Sequence, residues 1–145
     1  MRDEFKKWVS VPTRFRDLDP MNHVNSTIYF VYFEMARIEY FKDIGIAQMR
    51  DTGKSGIPVV SQTCNYRQQI FHPSTLDIGV RCAELGESTV HLAYEIYLHD
   101  TDTLVADGVT ISTCVDLTVP KAIPLPGELR QAFQDFEGIG PTIGP

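Results

Sequence analysis

The chain has 145 residues, enough for one domain with a substantial core. Its 43% hydrophobic and 22% charged residues are ordinary for a globular protein, and a net charge of -6 argues against a nucleic-acid partner. No apolar run is long enough to cross a bilayer, and the N-terminus opens on Arg2, Asp3, Glu4, Lys6 and Lys7 without a signal-like apolar stretch, so a cytoplasmic protein without a membrane span is expected.

In chain order, Trp8 to Arg16 reads as a first strand, with Pro12 at an edge or bulge. Asp17 to Asn25 is a polar turn region holding Pro20 and Asn22. Ser26 to Ile44 reads as one long helix. Its first turns, Ile28 to Phe33, are apolar on nearly every side, which predicts burial all round. Gly45 is the expected stop, and residues 46–56 a loop.

Ile57 to Phe71 contains one strand. Thr75 to Ala83 alternates, with Leu76, Ile78, Val80 and Cys82 on one face. After a turn at Glu84 to Glu87, Ser88 to His99 puts Val90, Leu92, Tyr94, Ile96 and Leu98 on one face. Beyond the turn Asp100 to Asp102, Leu104 to Asp116 is the last strand, with Val105, Val109, Ile111 and Val115 assigned to its core face. Gly127 to Phe136 is expected to close the domain as a short helix on the stripe Leu129, Phe133 and Phe136. The organisation is therefore a single α+β domain over residues 1–137 and a loose Gly/Pro-rich tail over 138–145. A long apolar helix needs a sheet to bury it, and a curved antiparallel sheet wrapped round it answers both needs.

The densest polar cluster is Arg14-Phe15-Arg16-Asp17-Leu18-Asp19-Pro20-Met21-Asn22-His23-Val24-Asn25, between the first strand and the long helix. A helix N-terminus offers unpaired N–H groups and a partial positive charge, which suit a developing oxyanion. A carboxylate beside it serves as nucleophile or general base. Pro20 holds Asp19 toward extended backbone. The bland alternative is an Asp-rich turn that only caps a helix.

This stretch, with Tyr29 and then Tyr32-Phe33-Glu34-Met35-Ala36-Arg37, resembles the signature of hotdog-fold thioesterases, closest to the 4-hydroxybenzoyl-CoA thioesterase-like acyl-CoA hydrolases. The His-Val-Asn also echoes acyl-ACP thioesterases. The closing Lys121 to Pro126 is similar to the family's ending, so nearly the whole chain is covered. The resemblance implies a hotdog fold, hydrolysis of an acyl-CoA to free acid and CoA without metal or organic cofactor, and a homodimer or homotetramer with sites near the subunit interface. It places the catalytic carboxylate on Asp19, the second Asp of the pair, and an oxyanion-holding amide at Ser26. Two departures bear on substrate shape: Ser26 where many relatives have Asn, and Met21 and Asn22 where some have Gly.

Other candidates follow from residue type. His23 suits proton transfer or substrate binding, because imidazole titrates near neutrality. Asn25 caps the helix or positions a water or substrate. Tyr29 is the aromatic at the family position. Asp17 is expected to pair with Arg14 or Arg16 in a structural role. Glu34 is the reserve acid, since some hotdog enzymes take their carboxylate from this helix. CoA phosphates want cations, for which Lys54, Arg67, Arg81, Lys121 and Arg130 are available. His72, His91 and His99 lack metal-ligand spacing, and Cys64, Cys82 and Cys114 lack a zinc or disulfide pattern. Two rival functions remain open here: a hotdog hydratase or dehydratase, and a non-catalytic acyl-CoA-binding module.

Overall fold

The structure, a computed structural model, describes residues 2–46 and 54–138. Strand β1 (Lys7–Pro12) leads through a 3-10 turn (Phe15–Asp17) and the polar loop into helix α1 (Ile28–Asp43). Then follow β2 (Ser55–Gly56), β3 (Val59–Tyr66), β4 (Thr75–Leu85), β5 (Thr89–Leu98), β6 (Leu104–Thr113), β7 (Val115–Asp116), β8 (Lys121–Ala122) and α2 (Gly127–Glu137). Five strands form one sheet in the order β1-β4-β5-β6-β3, every pair antiparallel. The short strands form a second sheet, β2-β7-β8. Register shifts in β3–β6, β4–β5 and β5–β6 mark bulges, the feature that bends a sheet toward its helix.

The alternation read in β4 and β5 is real. Leu76, Ile78, Val80, Leu92, Tyr94 and Ile96 are all buried. In β6 the expected face is wrong. Val109 is 37% exposed and Ile111 half-buried, while Ala106, Gly108, Thr110 and Ser112 face the interior. Val105 is buried as well, beside the bulge at Ile96/Tyr97. The cause is room for aromatic rings. Phe33 of α1 stacks on Tyr94 with centroids 4.5 Å apart, and a Cβ at Gly108 would stand 2.6 Å from the Phe33 ring and 2.4 Å from the Thr63 carbonyl. Only small residues fit under that pair, so hydrophobicity misleads here.

Three other expectations change. The first strand stops at Pro12, which has no N–H to continue a ladder. Residues 15–17 turn instead. The last strand breaks at Cys114, so Val115 joins the small sheet. And α1 is not buried all round. Tyr29, Tyr32, Phe33, Ala36 and Tyr40 face the core, whereas Ile28, Phe30 and Val31 are half-buried and Met35 and Ile38 exposed.

Helix α2 packs as predicted, with Leu129 and Phe133 buried and Phe133 stacked on Tyr40 at 6.1 Å. Glu137 accepts from the Tyr40 hydroxyl and the Cys82 amide, both at 2.7 Å, and Gly138 ends the helix in the left-handed region that favours glycine (φ 72). The remainder of the expected loose tail and residues 47–53 of the expected loop lie outside the described residues, while Ser55 and Gly56, expected in that loop, pair with β7 as β2. Among the described residues no helix is long and apolar enough to cross a membrane. Asp77, His99 and Asp100 approach closely enough to share a cation. Asp77 is already engaged, however, accepting from Arg2, Ser10 and the Asp100 amide and contacting the His99 ring.

The tightness at Gly108 is testable. Gly108→Ala is expected to lower stability by about 1–3 kcal/mol, read as a shift of the urea midpoint at unchanged slope. An unchanged midpoint would mean that Phe33 and β3 yield without cost.

Candidate active site

The loop between β1 and α1 is built on Asp17, which is fully buried. Its carboxylate accepts from the Arg14 amide (2.9 Å), Arg14 Nε (3.0 Å), Arg14 Nη2 (2.8 Å) and the Tyr32 hydroxyl (2.9 Å). Its main-chain carbonyl accepts from the Asn25 amide. Burial alone would raise its pKa. The Arg14 side chain and amide and the Tyr32 hydroxyl outweigh that and hold it below the usual carboxylate value. Arg14, not Arg16, is therefore the partner, and Asp17 is structural.

Asp19 stands differently. Its Oδ1 accepts from the Met21 amide at 2.8 Å and the His23 amide at 3.3 Å, while Oδ2 has no partner among the described residues. The Asp19 amide donates to the His23 carbonyl, and the Asn22 amide to the Asp19 carbonyl. The turn needs a left-handed residue at its apex. Asn22 supplies it (φ 65), being one of the few L-residues that tolerate that conformation. Val24, buried, ties the return strand to the Ile70 carbonyl.

Helix α1 starts at Ile28, later than the sequence implied, because Asn25 organises the entry. Asn25 Oδ1 accepts from the Thr27 amide (2.9 Å) and hydroxyl (2.8 Å), and the Ile28 amide donates to the Asn25 carbonyl. Those two amides are spent. The Ser26 amide finds no acceptor among the described residues, while the Ser26 carbonyl accepts from the Tyr66 hydroxyl at 2.8 Å. No acidic residue in the first turn offsets the positive end of the helix.

Asp19, His23, Asn25, Ser26, Tyr29 and Arg67 all border one open cleft of about 430 Å³. Five come from the loop and helix start. Tyr66 comes from the end of β3, and Arg67, Gln68 and Gln69 from just beyond it; sequence reading did not single out Tyr66, Gln68 or Gln69. Strand β3 is carried there by its pairing with β6, a long-range register that no local pattern announces. The His23 ring sits edge-on to Phe71 at 5.1 Å and makes no hydrogen bond among the described residues. Tyr29 is buried, and that burial, with Cys64 and Tyr66 nearby, pushes its phenol up to about 12. Burial likewise lifts the Cys64 thiol to about 11, so it is not a ready thiolate nucleophile. Arg67 Nε donates to Asp107 at 2.7 Å, and that bond raises the guanidinium's pKa.

The other candidates fall elsewhere. Glu34 borders a second cavity without Asp19. Arg81 packs over Phe5, and Arg130 donates to the Gly86 and Glu87 carbonyls. Of the five cations considered for phosphate, only Arg67 borders the cleft.

A long helix laid on a bent antiparallel sheet defines the hotdog fold, here that of a thioester hydrolase. The chain belongs to the thioesterase-like superfamily, whose model matches residues 13–133. It is similar to the long-chain acyl-CoA thioesterase FadM of Escherichia coli, at 28% identity over 126 residues, 87% of this chain and 96% of that one. It is also similar to the uncharacterized protein YsmA of Bacillus subtilis, at 32% identity over 93 residues, 64% of this chain and 62% of that one. Among solved structures it resembles a thioesterase from Thermus thermophilus complexed with coenzyme A and Zn, with 29% identity and a TM-score of 0.81 over 95% of this chain and 98% of that one. The PA5185 protein of Pseudomonas aeruginosa gives 27% identity and a TM-score of 0.81 over 92% and 93%.

Asp17 yields a prediction separate from chemistry. Its pKa is lowered in the folded state, so its contribution is present above the unfolded value of about 3.9 and is lost as pH falls through the folded value. Asp17→Asn is expected to cost about 1–3 kcal/mol at neutral pH and to flatten part of the acid limb of a stability–pH profile. A profile identical to wild type would contradict the structural role.

Proposed function

We propose that this protein hydrolyses acyl-CoA thioesters in the cleft at the entry of α1, with Asp19 as the catalytic carboxylate. The observation that carries this reading is the pairing, in one cleft, of a carboxylate oxygen without a partner and a main-chain amide without an acceptor among the described residues. The thioester carbonyl oxygen accepts from the Ser26 N–H beside the positive end of α1, which stabilises negative charge as the carbonyl carbon becomes tetrahedral. Asp19 Oδ2 either attacks that carbon or takes a proton from a water that attacks it. The two amides on Oδ1 keep the carboxylate oriented. Collapse of the intermediate expels CoA as its thiolate; on the route by direct attack, water then hydrolyses the mixed anhydride left on Asp19, releasing the free acid and restoring the carboxylate. His23 contacts the substrate near the reacting group, Tyr29 walls the acyl side, and Asn25 holds the helix entry in register. Arg67, still half-exposed beside Asp107, offers its remaining N–H groups to a CoA phosphate.

The working unit in this reading is at least a homodimer. The two edges of the main sheet differ. β1 carries Lys7 and Pro12, which discourage pairing, whereas β3 (Val59–Tyr66) is a mostly exposed edge without a charge or a proline. A second copy adding its own β3 antiparallel to this edge would cover Val60, now 61% exposed, and close the cleft from one side.

Two measurements test these claims. In a thiol-release assay over a panel of acyl-CoAs, Asp19→Asn and Asp19→Ala are expected to lose at least about a hundredfold in kcat while melting like wild type. Wild-type rates in both variants would remove Asp19 from the chemistry. In gel filtration at micromolar concentration, wild type is expected to elute as a dimer or tetramer and Val60→Lys to shift toward monomer; a monomeric wild type would contradict the shared edge.

A further inference from the structure

The Ser26 amide can hold an oxyanion only if it is aimed, and the peptide groups on either side of Ser26 aim it. On one side, the Asn25 carbonyl accepts from the Ile28 amide at 2.9 Å. On the other, the Thr27 amide donates to Asn25 Oδ1 at 2.9 Å. Those bonds are local, so Asn25 to Ile28 can turn as one unit. The Ser26 carbonyl is held from another element. It accepts at 2.8 Å from the hydroxyl of Tyr66, 40 residues along the chain.

Tyr66 stands on a rigid base. Its strand pairs it with Ala106, which is fully buried. The next two amides, of Arg67 and Gln68, both donate to the carbonyl of buried Val105, at 2.9 and 3.1 Å. Its ring meets that of buried Tyr29 of α1 edge-on, with centroids 4.8 Å apart. Strand and helix thus fix the ring, while the residue borders the catalytic cleft beside Ser26. Partial burial and the neighbouring Cys64 push the phenol's pKa up, so the hydroxyl keeps its proton and remains a donor at neutral pH.

Resting on the acyl-CoA reading above, we propose that Tyr66 is a positioning residue for hydrolysis: its hydroxyl locks the Ser26 carbonyl and so holds the Ser26 N–H toward the thioester carbonyl. Tyr66 makes no bond to the reacting atoms and takes no proton. It acts in two ways. It fixes the Ser26–Thr27 peptide, and with it the torsions about the Ser26 Cα; a donor tilted away from the oxyanion loses much of its strength. It also occupies a carbonyl oxygen that, left bare beside the cleft, would set negative charge near the charge developing on the substrate. Both effects grow as the oxyanion forms, so they are felt in the transition state more than in binding.

The test compares wild type with Tyr66→Phe, on the full chain. The variant keeps the ring against Tyr29 and removes only the hydroxyl. In thiol release on the acyl-CoA that wild type turns over fastest, kcat is expected to fall about tenfold with KM within about twofold, at an unchanged melting temperature. An isotope-labelled ketone analogue of that acyl-CoA gives a spectroscopic readout. Its bound carbonyl stretch is expected at higher frequency in Tyr66→Phe than in wild type, because the Ser26 donor is misaimed. Should Tyr66→Phe fail to fold, Tyr66→Met, of similar reach and without a donor, takes its place. Wild-type kcat in the variant overturns the proposal and leaves the thioesterase reading standing. So does a fall in kcat with the ketone stretch unmoved, or a KM that rises as far as kcat falls, which would make Tyr66 a wall of the substrate site. No turnover of any acyl-CoA by wild type fails the thioesterase reading itself, and this proposal with it.

Discussion

Asp17 joins three pieces of chain that otherwise have no reason to meet. It holds the exit of β1 through Arg14, the second turn of α1 through Tyr32, and, through its carbonyl, the helix entry at Asn25. A buried carboxylate is tolerated only when its lone pairs are filled, so the contacts stand or fall together. Once they are made, the loop from Leu18 to Val24 has fixed ends. It closes by the short bridge between Leu18 and Val24. The neighbouring carboxylate, Asp19, then borders the cleft with Oδ1 held by two amides and Oδ2 without a partner among the described residues. Two acids two residues apart thus stand in opposite surroundings, one buried among donors and the other bordering the cleft.

Beneath the loop, the position of α1 depends on steric fit. Phe33 stacks on Tyr94 only because β6 offers Gly108 there, and Thr110 satisfies the Tyr94 hydroxyl behind it. The helix is thereby pressed to the sheet along its tyrosine and phenylalanine face. Its other side, from Ile28 through Val31 to Glu34, is left along the β3 edge. There an uncharged strand edge is open to pairing.

Much of this was legible in the residues. Asp19, His23, Asn25, Ser26 and Tyr29 lie within one short stretch, so local pattern and the family signature bring them together without tertiary knowledge. The alternation of β4 and β5 was equally plain, because both strands present large apolar residues to the core. Illegible features share a cause: they depend on what lies across from a residue. Thr110 and Ser112 face the core against their polarity, Thr110 beside the Tyr94 hydroxyl on the neighbouring strand. Tyr66 reaches Ser26 only through the β3–β6 register. The apolar start of α1 predicted burial on every side, whereas half of it borders an open seam. The helix start moved by two residues because the Asn25 side chain takes the amide that a regular turn would have left free.

The central claim is that a thioester carbonyl sits between the Ser26 amide and Asp19. The most direct measurement is a structure of the protein with a non-hydrolysable ketone analogue of an acyl-CoA. The account predicts the ketone oxygen about 3 Å from the Ser26 nitrogen and its carbon facing Asp19 Oδ2. An analogue bound elsewhere, as in the apolar cavity of about 200 Å³ beside Phe41, Cys114 and Leu129, with the Ser26 amide still unengaged, would contradict it.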